Sequence, residues 1–270
     1  MGHRLMVYLL PFHSRLTMSP LASSLVVFLC VFGGALLGML VSPLLPVQHQ
    51  SSESKDIVRL GMGLVATTVA VALGLLIASA KSFYDTQCTE MTQLAANYVL
   101  LDRVLAHYGP ETSDARAAER AVLVNHLGLS KPLDGTNRGY SEIKTGTLRG
   151  EVILDRIQDL SPKDDNQRSL KAQAINLSIE LGRTRWLMFE QNTVPVPKLL
   201  FLMLIGWLMV LFLSFGLFAP RNFTVLAGLL LAAGAVCGAI LLILSMYHPQ
   251  SGLIQVSDAP LRAAFAQLGH

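Results

Sequence analysis

A few groups of residues have types and spacings that could do chemistry. Gly61, Gly63 and Ala66 spell the G-x-G-x-x-A of a dinucleotide-binding turn, and Ile57, Val58 and Leu60 ahead of them could pass for a strand. Such a turn works only inside a strand-turn-helix unit with an acidic residue at the end of the following strand. Here the chain stays apolar through Ala80 and then meets Lys81, Phe83 and Tyr84, a basic and aromatic membrane edge. Glycines that let helices approach closely explain Gly61 and Gly63 better. Thr67 and Thr68 follow in the same run, and hydroxyls there could line a pore of modest polarity that gates by dewetting at an apolar constriction. The alternative is that each hydroxyl bonds back to a carbonyl of its own helix.

Other chemistry finds less support. The histidines at 3, 13, 49, 107, 126, 248 and 270 make no H-E-x-x-H and pair with no cysteine at a ligand spacing. No catalytic residue, metal ligand or cofactor is assigned. Asp164 and Asp165, just after Pro162, suit a helix start, where acids favour the dipole. Cys30, Cys88 and Cys237 cannot form a disulfide framework. The net charge of +3 is too small to argue for nucleic acid.

The elements that hold these residues follow from charge. Of 270 residues only 14% are charged, against about 25% in soluble domains. Four stretches, Leu21 to Leu45, Leu60 to Ala80, Leu199 to Ala219 and Phe223 to Tyr247, hold 92 residues and none of the 39 charges. Each is long enough to cross a hydrocarbon core of about 30 Å as a helix. The expected organisation is an all-α membrane protein, in which residues 1–20 are a tail and the spans are 21–45, 60–80, 199–219 and 223–247. Residues 46–59 form a non-cytoplasmic loop, 81–198 a cytosolic helical domain, 220–222 a tight turn and 248–270 a cytosolic tail.

The 81–198 segment has 15 basic and 15 acidic residues, so it reads as a folded domain and not as a polybasic lipid binder. Counting basic residues puts 18 on its side of the membrane and 3 on the other, which places the domain and both termini in the cytoplasm. Within it Met91, Leu94, Tyr98, Leu101, Leu105 and Tyr108 make one helical stripe, continuous with the second span and stopped by Gly109 and Pro110. Further helices are expected from Ser113 to about Leu127, over Ser141 to Leu160 with Val152, Ile153, Ile157 and Leu160 inward, and after Pro162 with Leu170, Ala174, Leu177, Leu181 and Met188 inward. Asp102 and Arg103 then read as an exposed charged face. Ser257 and Pro260 open a short helix in the tail.

Gly34 with Gly38, and Gly234 with Gly238, are G-x-x-x-G pairs inside spans, notches that serve packing within one protomer or between subunits. No span carries an ionisable residue, which argues against transport by buried carboxylates.

From about Leu21 onward the chain resembles the bestrophin-like domain family of bacterial membrane proteins. The likeness rests on Gly61-Met-Gly-Leu-Val-Ala-Thr67, on Leu73-Gly-Leu-Leu-Ile77 with Ala80-Lys81 and Tyr84-Asp85, on Leu101-Asp-Arg103 through Tyr108-Gly-Pro-Glu111, on Phe215-Gly-Leu-Phe-Ala-Pro-Arg-Asn222, and on Gly252-Leu-Ile254 with Pro260-Leu-Arg262. One departure is an acid expected near the end of the last span, where this chain has Ser245-Met-Tyr-His248. The resemblance implies four spans with a helical cytosolic domain and, through more distant similarity to bestrophins, a ring-shaped homo-oligomer that passes inorganic anions across a bacterial inner membrane. Thr67 and Thr68 are the candidate pore-lining residues; Gly34, Gly38, Gly61, Gly63, Gly234 and Gly238 are the candidate helix-packing ones. The competing expectation is a non-conducting scaffold whose cytosolic domain binds a partner.

Overall fold

The computed structural model describes residues 19–44, 52–128, 151–191, 198–247 and 254–268. Among them every regular element is helical. In chain order these are α1 (Pro20–Val41), α2 (Ser52–Tyr108), α3 (Ser113–His126), α4 (151–158), α5 (Asp165–Gln191), α6 (Lys198–Phe218), α7 (Phe223–Tyr247) and α8 (Ala259–Gln267). By length and composition α1, α2, α6 and α7 can each cross a membrane. Residues 1–18 of the N-terminal tail, the turn-rich stretch 130–139, residues 141–150 of the expected third domain helix, and Pro195, Pro197, Pro249 and Gly252 lie outside the described residues.

The chain divides into two compact units, residues 1–83 with 195–255, and 84–194 with 256–270. In the first, Ser19 caps α1 by accepting from the Ala22 amide at 3.2 Å, and Pro20 occupies the first turn, where its missing N–H costs nothing. The core joins Val27, Val31 and Ala35 of α1 to Leu204, Leu208 and Phe212 of α6, to Ala233, Cys237 and Ile240 of α7, and to Val69, Leu76 and Ala80 of α2. α7 is tied to its neighbours by two polar contacts. Ser24 Oγ donates to the Cys237 carbonyl at 3.1 Å, and the Tyr247 hydroxyl lies 3.0 Å from Ser79 Oγ with its ring 5.5 Å from that of Phe83.

α1 and α6 touch backbone to backbone. A Cβ built on Gly38 would lie 2.2 Å from the Leu213 carbonyl oxygen, and one on Gly216 would lie 1.9 Å from that of Ala35. Gly34 is next in line, with 3.3 Å to the Met209 oxygen. Residues 34 and 38 thus meet 209–213 and 213–217 in the same order, so the two helices run parallel. Between helices in lipid no hydrophobic force draws surfaces together, and close van der Waals approach across small residues takes its place. Gly234, Gly238, Gly61 and Gly63 have open space where a side chain would go.

α2 begins at Ser52, inside the stretch assigned above to the 46–59 loop. Charge excludes a residue from hydrocarbon but not from a helix: Glu53 favours the N-terminal dipole, and Asp56 pairs with Arg59 one turn later at 3.4 Å. The helix then continues without a break to Tyr108.

In the second unit the expected α2 stripe is the core. Leu94, Tyr98, Leu101 and Leu105 pack with Val122 and Leu123 of α3, Ile153 and Ile157 of α4, Ala174 and Leu181 of α5, and Leu261, Ala264 and Leu268 around α8. Gly109 stops α2 at φ +133°, a backbone that side chains rarely adopt. Thr112 Oγ1 then donates to the carbonyls of Leu105 and Gly109, at 2.7 and 2.8 Å, which closes the end of α2 onto the start of α3. Val152, expected inward, is 41% exposed. The inward positions of α4 are Ile153 and Ile157, four apart, and residue 152 lies about 100° away from their line.

Gly38→Ala and Gly216→Ala each force α1 and α6 apart and cost about 1–3 kcal/mol, as overpacking of a closed contact does. Thermal unfolding of the purified protein in detergent checks this: both variants melt earlier, while Gly234→Ala melts with the wild type.

Candidate functional site

Two places in the structure have the make-up of a functional site, one in each unit. The first is the exposed side of α2. With Val69, Leu76 and Ala80 buried, the opposite side of the helix carries Gly63, Thr67, Ala70, Gly74, Ala78 and Lys81, three or four residues apart and all exposed. Beside this small-residue stripe runs a bulky one, Leu64, Val71 and Leu75, each more than 60% exposed. The helix therefore has three faces: one packed within its own unit, one wide and apolar, one narrow and small.

Thr67 lies on the small stripe, while Thr68 is turned about 100° further toward the bulky one. Both hydroxyls donate to the Leu64 carbonyl, at 2.8 and 2.9 Å, so the back-bonded alternative describes their hydrogen bonds. Both also border a shallow groove with Val71, Leu75, Leu200 and Trp207. A back-bonded threonine still presents its small polar body to whatever passes the helix. Lys81, read from the sequence only as a membrane edge, stands at the end of the stripe, fourteen positions or about four turns after Thr67. Counting in helical steps from Thr67 finds it.

The dinucleotide turn has no structural basis here. Gly61 to Ala66 lie in mid-helix with every amide in an α2 turn, and a phosphate-cradling loop needs free N–H groups.

The second place is a buried charge cluster between α2 and α3. Asp102, expected on an exposed face, is only 3% exposed; Arg103 alone of that pair faces out. The reason is Arg116, whose Nε and Nη2 reach the two Asp102 oxygens at 2.7 and 3.1 Å, a fork that makes burial of the carboxylate tolerable. The pairing holds the Arg116 guanidinium more firmly charged, its pKa raised chiefly by the hydrogen bond that it donates to Asp102. One turn on, Glu119 is wholly buried and neither carboxyl oxygen has a hydrogen-bond partner. Desolvation, reinforced by the Asp102 charge and only partly offset by Arg116, pushes Glu119 up to about 9. At neutral pH it is a neutral acid in an apolar core.

Because the folded value lies above the unfolded one, Glu119 costs nothing below about pH 4.5, and its penalty grows as pH rises toward 9. At pH 7, two and a half units above the unfolded value, the difference amounts to about 3–4 kcal/mol at roughly 1.4 kcal/mol per unit. Glu119→Gln, which keeps the shape and loses the proton, should therefore stabilise the protein at pH 7–8 and leave it unchanged near pH 4.5. Melting curves of both proteins across that range read the gap directly.

The comparisons with known proteins agree with this architecture. The model of the bestrophin-like domain matches residues 29–261. A crystal structure of a point mutant of a bacterial bestrophin homologue from Klebsiella pneumoniae superposes with a TM-score of 0.61 at 13% identity, over 91% of this chain and 99% of that one. No curated protein matches the chain. At that identity the superposition speaks for the fold, and the domain match speaks for descent: this chain belongs to the bestrophin-like family.

Proposed function

We propose that the chain is the subunit of an oligomeric, inner-membrane channel for inorganic anions, with the narrow face of α2 toward the pore. The observation that carries this reading is the division of α2 into three faces. A lone helix in lipid has no use for a stripe of Gly63, Thr67, Ala70, Gly74 and Ala78 flanked by bulky Leu64, Val71 and Leu75. Around an axis the stripe makes a water-wide wall, and the bulky face packs on the next subunit. Lys81, repeated once per subunit, would set a ring of positive charge at one end of that wall, which raises the local concentration of anions. The family and the superposed bacterial bestrophin homologue support a ring. The parallel course of α1 and α6 supports placing the 81–198 segment and the N-terminus on one side of the membrane, and the count of basic residues makes that side the cytoplasm.

A second reading has its own observation. In the second unit Ile179 of α5 and, two turns later, the adjacent Trp186 and Leu187 are each more than 40% exposed. Apolar patches on a domain in water mark contact surfaces. A non-conducting scaffold would use this face to hold a cytosolic partner.

Currents across a planar bilayer containing the purified protein separate the two. The channel reading expects conductance that follows the anion on replacement. Thr67→Phe narrows it, and Lys81→Glu shifts the reversal potential toward cation permeability. Thr68→Ala, on the flank of the stripe, leaves both unchanged. An oligomer silent at all voltages, combined with loss of a bound protein on Trp186→Ala, favours the scaffold.

A further inference from the structure

At the turn between α6 and α7 the structure holds a feature that a pore does not need. Met39 stands in the last turn of α1, and the residue four positions on, whose amide would ordinarily bond the Met39 carbonyl, is Pro43. Proline has no N–H, so that carbonyl is an orphan at a helix end. Arg221 reaches across from the turn and donates to it from Nη2 at 2.6 Å. The bond pins the guanidinium beside α1. Its remaining donors stay available, because an arginine has five and the side chain is exposed.

Beneath the pinned cation lies an open groove of about 440 Å³ between α1 and α7, walled by Leu36, Leu40, Phe223 and Leu226. Leu40 is 66% exposed and Phe223 85% exposed. The wall is thus apolar, open to the side and headed by a single fixed positive charge. α7 starts at Phe223, so the partial positive charge of its N-terminal end adds to the same field.

We infer that this groove is a binding site for one anionic phospholipid per protomer, with the headgroup phosphate on Arg221 and an acyl chain along Leu36, Leu40, Phe223 and Leu226. Charge and shape both select this occupant. A planar guanidinium matches phosphate oxygens in a two-point fork. The apolar wall below it matches a hydrocarbon chain and gives nothing to a free phosphate. All of these residues lie at one end of spans, where headgroup and acyl region meet. The inference stands apart from conduction, since a scaffold with the same spans would carry the same site.

Native mass spectrometry of the full chain, purified in detergent and titrated with phosphatidylglycerol or phosphatidylcholine, tests it. The wild type should retain phosphatidylglycerol about tenfold more strongly than phosphatidylcholine, the size of one charge-assisted contact. Arg221→Gln should abolish that preference, and Arg221→Lys should restore part of it. Phe223→Ala leaves the arginine and its Met39 bond in place, and should weaken retention of both lipids while keeping the preference. Equal retention of the two lipids by the wild type, an unchanged preference in Arg221→Gln, or displacement of phosphatidylglycerol by millimolar inorganic phosphate would each overturn the assignment.

Discussion

The contact on which the membrane unit depends is the one between the backbones of α1 and α6. In hydrocarbon a helix satisfies its own amides and carbonyls, so the backbone gives it no reason to seek a neighbour. What remains is dispersion, which falls away within fractions of an ångström of optimal separation. Gly38 against Leu213 and Gly216 against Ala35 remove the side chains that would hold the helices apart. The remainder of the first unit is arranged around that seam: α7 is hooked to α1 through Ser24 and to α2 through Tyr247 and Ser79, and α2 contributes only one of its faces. The free faces of α2 follow from this geometry. A helix held on one side by a closed seam and its neighbours has its other sides left open within the protomer.

The second unit is held differently, by burial of apolar side chains from α2, α3, α4, α5 and α8 in one core. Its α2 stripe, with Leu94, Tyr98, Leu101 and Leu105 inward, is an ordinary amphipathic face. The unusual feature is that this core accepts Asp102 and Glu119. One is made tolerable by the Arg116 fork and the other by staying protonated, two separate answers to the same desolvation cost. The second answer depends on pH: as pH rises toward about 9 the protonated form of Glu119 is lost, and the unit gives up stability with it.

Arg221 shows how a local defect in one element becomes a feature of another. Pro43 removes an amide from the end of α1, and the orphan carbonyl of Met39 is met by a side chain from the α6–α7 turn. A basic residue that would otherwise sweep through solvent is thereby held at the head of an apolar groove.

Much of this was legible in the residues alone, for physical reasons that can be named. Hydrocarbon rejects charge so strongly that the four uncharged stretches stand out without reference to any contact, and the three-and-four spacing from Met91 to Tyr108 announces its buried face because helix geometry is periodic. The stop at Gly109 was equally visible, since few other residues take that φ. Contact partners were not legible. Gly34 and Gly38 share their spacing with Gly234 and Gly238, yet only the first pair meets another backbone within the protomer, and Gly216, its partner in the seam, belongs to no such pair. Asp102 reads as a solvated charge and Glu119 carries no signal at all, because nothing in a one-dimensional pattern says that Arg116 will fold over one of them and an apolar core close over the other. The sequence by itself determined which stretches are helical, apolar and long enough to span, because those are properties of a segment and its solvent. Only the tertiary structure decided which small residues touch, which charges are buried and which side of α2 is left open, because those depend on what stands opposite.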